Sequence, residues 1–315
     1  MISARNLFLW IFLFYAFISC QDSSIEFQDV DSDQLLADVE YLSSDELEGR
    51  GTGTEGNRIA QNYIEDRFKN LGLLTFTESY RHTFEHTNPR TDVEFSEAVN
   101  LIGYVEGSDQ PERFIVVTAH YDHLGVQDGE IYNGADDNAS GTGGLMAAAR
   151  YFTEFQPSNS IIFIAFDAEE QGLGGARYFV DNPVVPLGQI VLNVNMDMIS
   201  NNFEDEFYAV GTYHYPFLKS LVEESTADAP IDVLFGYDSD DWPQDWTMAS
   251  DHGPFHQKGI PFIYFGVEDH EHYHAPSDTF ENINPEFYVK AVRTIIQFIE
   301  DADSQLEVIV EKSDR

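Results

Sequence analysis

Residues 114–122 read Phe-Ile-Val-Val-Thr-Ala-His-Tyr-Asp, and residues 161–170 read Ile-Ile-Phe-Ile-Ala-Phe-Asp-Ala-Glu-Glu. In each, a short apolar run without polar alternation stops abruptly at residues that ionise. Such runs suit strands covered on both faces. Two more follow: Ile190 to Asn195 leads into Met196-Asp197, and Pro261 to Phe265 precedes a loop that reaches His274. Between and around them the periodicity is helical. Leu35, Leu36, Val39 and Leu42 recur at helical spacing, and Glu55 to Leu73 places Ile59, Ala60, Tyr63, Ile64 and Phe68 on one face, with Gly72 as its stop. Further helices are expected to begin near Ala139, Gly172 and Pro216, and a last one to cover Pro285 to Ile299. The alternation predicts an α/β fold with a mixed, largely parallel central sheet and helices on both faces. No internal repeat or Pro/Gly/Ser linker interrupts residues 34–315, which read as one domain.

With 43% hydrophobic and 14% aromatic residues, the 315-residue chain has ample material for a core, which excludes a disordered class. The 16 Lys and Arg against 56 Asp and Glu give a net charge of −40. That balance excludes nucleic acid and anionic lipid as partners, because both are bound through cations. Most of these acids read as a solvated, salt-adapted surface, which leaves few as ligands or catalysts.

The first residues form a separate segment. Arg5 precedes an apolar run from Leu7 to Ile18, and no acid occurs before Asp22. The run is short for a bilayer span and suits a secretory signal. Phe17-Ile18-Ser19-Cys20 resembles the lipobox of bacterial lipoproteins, with Phe17 where Leu is usual. The expected organisation is a signal peptide over 1–19, a lipidated cysteine and acidic linker over 20–33, and one folded domain over 34–315. The protein is then exported and held by Cys20 in the bacterial periplasm or on the cell surface. Cys20 is the only cysteine, so the domain has no disulfide and no thiolate metal site.

In open α/β sheets, ligands gather beyond the carboxyl ends of strands. The residues found there are His120 and Asp122, the turn Asn133 to Gly141 with Asp136 and Asp137, then Glu169 and Glu170, Asp197, and Tyr273 to Asp278 with His274. Each alone has an ordinary explanation: a satisfied structural histidine, a capping turn, acids favoured by a helix dipole. Together, two histidines and three carboxylates suit zinc, which accepts both donor types.

The motifs Ala119-His-Tyr-Asp122, Gly134-Ala-Asp-Asp-Asn-Ala-Ser-Gly141, Ala168-Glu-Glu170, Met196-Asp-Met198 and Tyr273-His-Ala-Pro-Ser-Asp278 resemble the co-catalytic di-zinc aminopeptidases, whose relatives include glutamate carboxypeptidase and glutaminyl cyclase. The resemblance implies a phosphorylase/hydrolase-like zinc peptidase fold, here without an inserted protease-associated domain. It implies two zinc ions bridged by Asp137, with His120 and Asp197 completing one site and Glu170 and His274 the other. Asp122 would orient the His120 imidazole, and Glu169 would be the general base. Ser140 is expected to be a helix cap. His270 and His272 are expected to sit on their loop, although His272 stands where relatives often have Asp.

The expected activity is that of an exopeptidase acting at the amino end of peptides. Between His120 and Val289 the only cations are Arg150, Arg177, Lys219 and Lys258, few candidates for gripping a terminal carboxylate. The alternatives are a carboxypeptidase, a glutaminyl-cyclase-like enzyme, or a non-catalytic surface-binding lipoprotein. Tyr237, Trp242 and Trp246 either line a side-chain pocket or pack their own loop.

Overall fold

The computed structural model describes residues 30–313, so the expected signal segment and Cys20 lie outside the described residues. The chain folds around an eight-stranded sheet. Its strands are β1 (Arg81–Thr87), β2 (Glu94–Val105), β3 (Gln110–His120), β6 (Asn159–Phe166), β7 (Ile190–Met196), β8 (Glu206–Val210), β9 (Asp232–Phe235) and β10 (Phe262–Gly266), while β4 (Gly125–Gln127) and β5 (Glu130–Tyr132) form a separate ribbon. The order across the sheet is β1-β2-β6-β3-β7-β10-β8-β9. The four runs read from the sequence are its centre, β6-β3-β7-β10, and they run parallel. β2 joins β6 and β8 joins β10 antiparallel, which makes the sheet mixed.

Both faces of the central strands are covered. Ile115, Val117, Phe163 and Val194 pack with α1 (Ser32–Leu42), α2 (Glu55–Leu71), α3 (Gly141–Glu154) and α7 (Pro285–Ser304). Their neighbours Val116, Ile162 and Ile164 face the other way, against α4 (Gly174–Asp181) and α6 (His252–Gln257). Double coverage explains why these strands lack alternation. Phe163 is fully buried, and its truncation to Ala should cost about 3–5 kcal/mol. Two short helices, α5 (Lys219–Ser225) and α8 (Leu306–Ser313), complete the layer on the first face.

Local signals set the helix ends. Thr54 caps α2 by accepting from the Asn57 amide at 3.2 Å, and Gly72 ends it in the left-handed conformation, φ 74°. Asn284 caps α7 with Pro285 in its first turn. Ser140 departs from the expectation of a cap. Its hydroxyl donates to the Asp136 carbonyl at 2.6 Å, because residues 135–140 form an irregular turn before α3, with non-helical backbone at Asp137 and Asn138. Among the described residues, no helix is long and apolar enough to cross a membrane.

Candidate active site

Because the four central strands run parallel, their carboxyl ends meet along one edge. His120 ends β3, Glu169 and Glu170 lie in the turn after β6, Asp197 follows β7, and His274 lies on the loop after β10. Asp137 comes from the turn leading into α3. The structure brings all five expected donors together. His120 Nε2 is 3.4 Å from Asp137 Oδ1 and 3.4 Å from Asp197 Oδ1. His274 Nε2 is 3.0 Å from Asp137 Oδ2 and 3.5 Å from Glu170 Oε1. Asp137 therefore offers one oxygen to each histidine.

Asp197 Oδ1 and Glu170 Oε1 are buried without a hydrogen-bond partner. Donors sharing a tetrahedral ion at about 2.0–2.1 Å sit about 3.3 Å apart. The observed separations and the unsatisfied oxygens fit that arrangement at both centres.

A second ring of bonds holds the donors. His120 Nδ1 lies 3.0 Å from the backbone carbonyl of Asp122. A carbonyl only accepts, so Nδ1 carries the proton and Nε2 presents its lone pair. The expectation that the Asp122 side chain orients His120 is thus refined: the backbone oxygen makes the bond, and the carboxylate stands 3.8 Å from the ring. The Asp122 carboxylate accepts instead from the amides of Glu169 at 3.0 Å and Glu170 at 3.3 Å, and from the Thr52 hydroxyl at 3.1 Å. Asp278 does the same for the other turn, accepting from the Asp136 and Asp137 amides at 2.9 and 3.0 Å. Asp136 accepts from the Ser200 amide and hydroxyl and contacts His270 Nε2 at 2.9 Å, which makes His270 part of the loop scaffold. Among the described residues His272 contacts its own loop, at His270 and Ser277.

Burial pushes the Glu169 carboxyl well above the usual range, and the charges of Glu170, Asp251 and Asp197 act in the same sense against the opposing His120. Sequence reasoning missed the cation beneath this acid cluster. Arg50 is fully buried and donates to the carbonyls of Tyr121, Leu42, Asn133 and Gly134. Desolvation lowers its pKa to about 10, with Asp278, Asp137, Asp122 and Glu170 opposing. Its signal was an Arg between glycines in Glu48-Gly-Arg-Gly51.

A cavity of about 450 Å³ opens over the donors. One part of its wall is apolar, with Met198, Trp246, Met248 and Val267. Trp246 lines it while Tyr237 stacks behind, with ring centroids 4.0 Å apart and planes 8° apart, so both readings of that loop hold in part. The cavity also contains Arg90 and Arg177, which corrects the expectation of a cation-poor cleft. Arg90 escaped the count because it lies on the β1–β2 turn, far upstream of His120. That turn docks on the loop after Glu170: His86 Nε2 contacts the Gln171 carbonyl at 2.8 Å, and the Asn88 side chain donates to Gln171 Oε1 at 2.9 Å.

A further histidine was also missed. His123 is fully buried, with Nδ1 2.9 Å from Glu170 Oε1 and 3.8 Å from Asp137 Oδ2. The sequence signal was its spacing in His120-Tyr-Asp-His123.

Aminopeptidase YwaD of Bacillus subtilis is 36% identical over 197 residues, 59% of this chain and 41% of that protein. The chain spans at most about two fifths of the length of the curated relatives it matches. Among solved structures, a glutaminyl cyclase from Porphyromonas gingivalis superposes with a TM-score of 0.71 at 20% identity, covering 86% of this chain and 98% of that one. BSAP, a zinc aminopeptidase from Bacillus subtilis, gives 0.70 at 18%, covering 87% and 95%. At those identities the likeness establishes the fold. The sequence profile described as "Peptidase family M28" matches residues 100–299, well over half of the chain, and the chain belongs to that family.

Proposed function

We propose that the protein is an exported two-zinc exopeptidase that removes residues from the amino end of peptides. The observation that carries this reading is Asp137, whose two oxygens face His120 and His274 separately, with Glu169 beside them on the cavity wall. His120, Asp137 and Asp197 would hold one ion, and Asp137, Glu170 and His274 the other. Bound zinc would lower the pKa of a water toward neutrality and polarise the scissile carbonyl. Glu169, whose buried carboxyl favours holding a proton, takes the water's proton and passes it to the departing amine. Asp122 keeps Glu169 and Glu170 in register through their amides. The apolar wall around Trp246 and Met248 suits a large apolar side chain on the residue removed, and the surrounding acids suit its free ammonium group.

The two arginines favour a second reading. Among the described residues Arg90 and Arg177 pair with no carboxylate, and both reach the cavity. They would grip a carboxylate of the substrate, either an acidic side chain just past the scissile bond or the carboxyl terminus itself. The test is a peptide series with each end blocked in turn. Cleavage lost on acetylating the amino end and kept on amidating the carboxyl end supports the aminopeptidase. The reverse pattern makes the protein a carboxypeptidase, and cyclisation of amino-terminal Gln makes it a cyclase. Absence of turnover in zinc-loaded protein on every substrate supports the non-catalytic binding role.

Export and anchoring rest on the sequence around Cys20. Cys20→Ala should shift the protein out of the membrane fraction; unchanged fractionation would remove the anchor from this reading.

A further inference from the structure

The second metal position, as read above, has three protein donors, yet a fourth points at it. His123 Nδ1 approaches the same two oxygens as His274 Nε2, namely Glu170 Oε1 and Asp137 Oδ2. The four separations are 2.9, 3.8, 3.0 and 3.5 Å. They scatter around the edge of about 3.3 Å expected between donors on one tetrahedral zinc. Neither nitrogen of the buried His123 ring has a hydrogen-bond partner, and Glu170 Oε1 has none either. Buried polar groups left unsatisfied are costly, because they have given up water without gaining a partner. A cation between them removes that cost for Nδ1 and Oε1 together.

The ring's position is built in. Gly134, at φ 58°, lies against it, and a Cβ there would come within 2.5 Å of His123 Cδ2. The His123 amide reaches the carbonyl of Arg50 at 3.4 Å, which ties the residue to the buried cation below.

We propose that His123 is a fourth protein ligand of the second metal, donating through neutral Nδ1. The two positions then differ in kind. The second is closed by His123, Glu170, His274 and Asp137, as structural zinc sites are, while the first has only His120, Asp197 and Asp137 and keeps a position open. The closed position would retain its ion, and the open one would leave room for a water. His274 is partly exposed on its loop whereas His123 is buried, so His123 is the less displaceable of the two imidazoles.

The inference rests on the metal reading of the site, and the experiment separates the two. Metal-free protein is titrated with Zn²⁺ against a competing chelator, and with Co²⁺ while the visible ligand-field bands are recorded, for the wild type, His123→Asn, His123→Gln and His120→Asn. The wild type should bind two ions, one much more tightly than the other, with the first Co²⁺ giving the intense bands of a four-coordinate ion. Both His123 variants should lose on the order of 10–100-fold or more in affinity for that tight ion and weaken its bands, on the scale known for supporting residues at metal sites. His120→Asn should spare the tight ion. If both His123 variants fold as the wild type does and keep its tight affinity and spectrum, His123 is a packing residue and the inference is overturned. Wild-type protein that binds no ion overturns the metal reading and this inference with it.

Discussion

The carboxylate of Asp122 accepts the backbone amide of Glu169 at 3.0 Å, so the residue that follows His120 by two positions fixes the turn that carries the proposed base. Asp122→Asn leaves the backbone carbonyl that holds His120 and removes only charge and one acceptor oxygen. Turnover should fall about 10–100-fold, the range for residues that support metal ligands, with the loss greater in kcat than in KM. Unchanged kcat would show that the turn keeps its shape without that bond.

Glu169 and Glu170 share a turn but have separate tasks in the proposed function. Glu169→Gln should retain both metals while losing about 10²–10⁴-fold in turnover, as removal of a general base does. Glu170→Gln should lose metal, and added Zn²⁺ should partly restore the rate. Zinc content measured beside kcat decides the matter: loss of zinc from the first variant and not from the second reverses the assignment.

Arg50 should matter for stability more than for chemistry. Its guanidinium satisfies the buried carbonyls of Leu42, Tyr121, Asn133 and Gly134. Lys cannot span that set, and each carbonyl left unpaired costs about 1–3 kcal/mol. Arg50→Lys should therefore lower unfolding free energy by about 3 kcal/mol or more in a urea titration. A loss below about 1 kcal/mol would mean that the carbonyls find other donors.

His252 makes stability depend on pH. It is fully buried, Nε2 donates to the Trp246 carbonyl at 2.8 Å, and Nδ1 has no partner. Desolvation lowers its pKa to about 3 in the folded chain. The unfolded chain takes up this proton near pH 6.5, so the contribution is complete above that pH and is lost as pH falls toward 3, by about 1.4 kcal/mol per unit. His252→Gln keeps a donor and cannot titrate. The stability difference between wild type and variant should shift in the variant's favour from pH 6.5 downward; a difference independent of pH would mean that His252 titrates in the fold as it does in the unfolded chain.

Legibility in the sequence followed burial. β3, β6, β7 and β10 were readable because both faces are covered, and the donors at their ends stood out because the apolar runs stop there. β1, with its His82, Glu85 and His86, lies on the sheet edge and carries no apolar pattern, so its turn and Arg90 escaped notice. The five residues of β8 and the four of β9 are too short to show a period. Asp122 was placed in the right neighbourhood, but whether its carbonyl or its carboxylate meets His120 depends on backbone geometry that spacing does not encode. His123 was hidden for a similar reason. In an extended strand it would point away from His120, and the chain leaves the strand at His120 before reaching it.

The order of the donors along the chain sets when the protein can begin to work. His120, Asp137, Glu170 and Asp197 leave the ribosome well before His274, and the loop bearing His274 is placed only once β10 has paired with β7. That pairing needs the chain as far as β10. A nascent chain halted before β10 carries the proposed base and every proposed donor except His274, whose place at the second position stays unfilled. In the proposed function the chain therefore stays inactive while it is being made and becomes competent only as β10 docks.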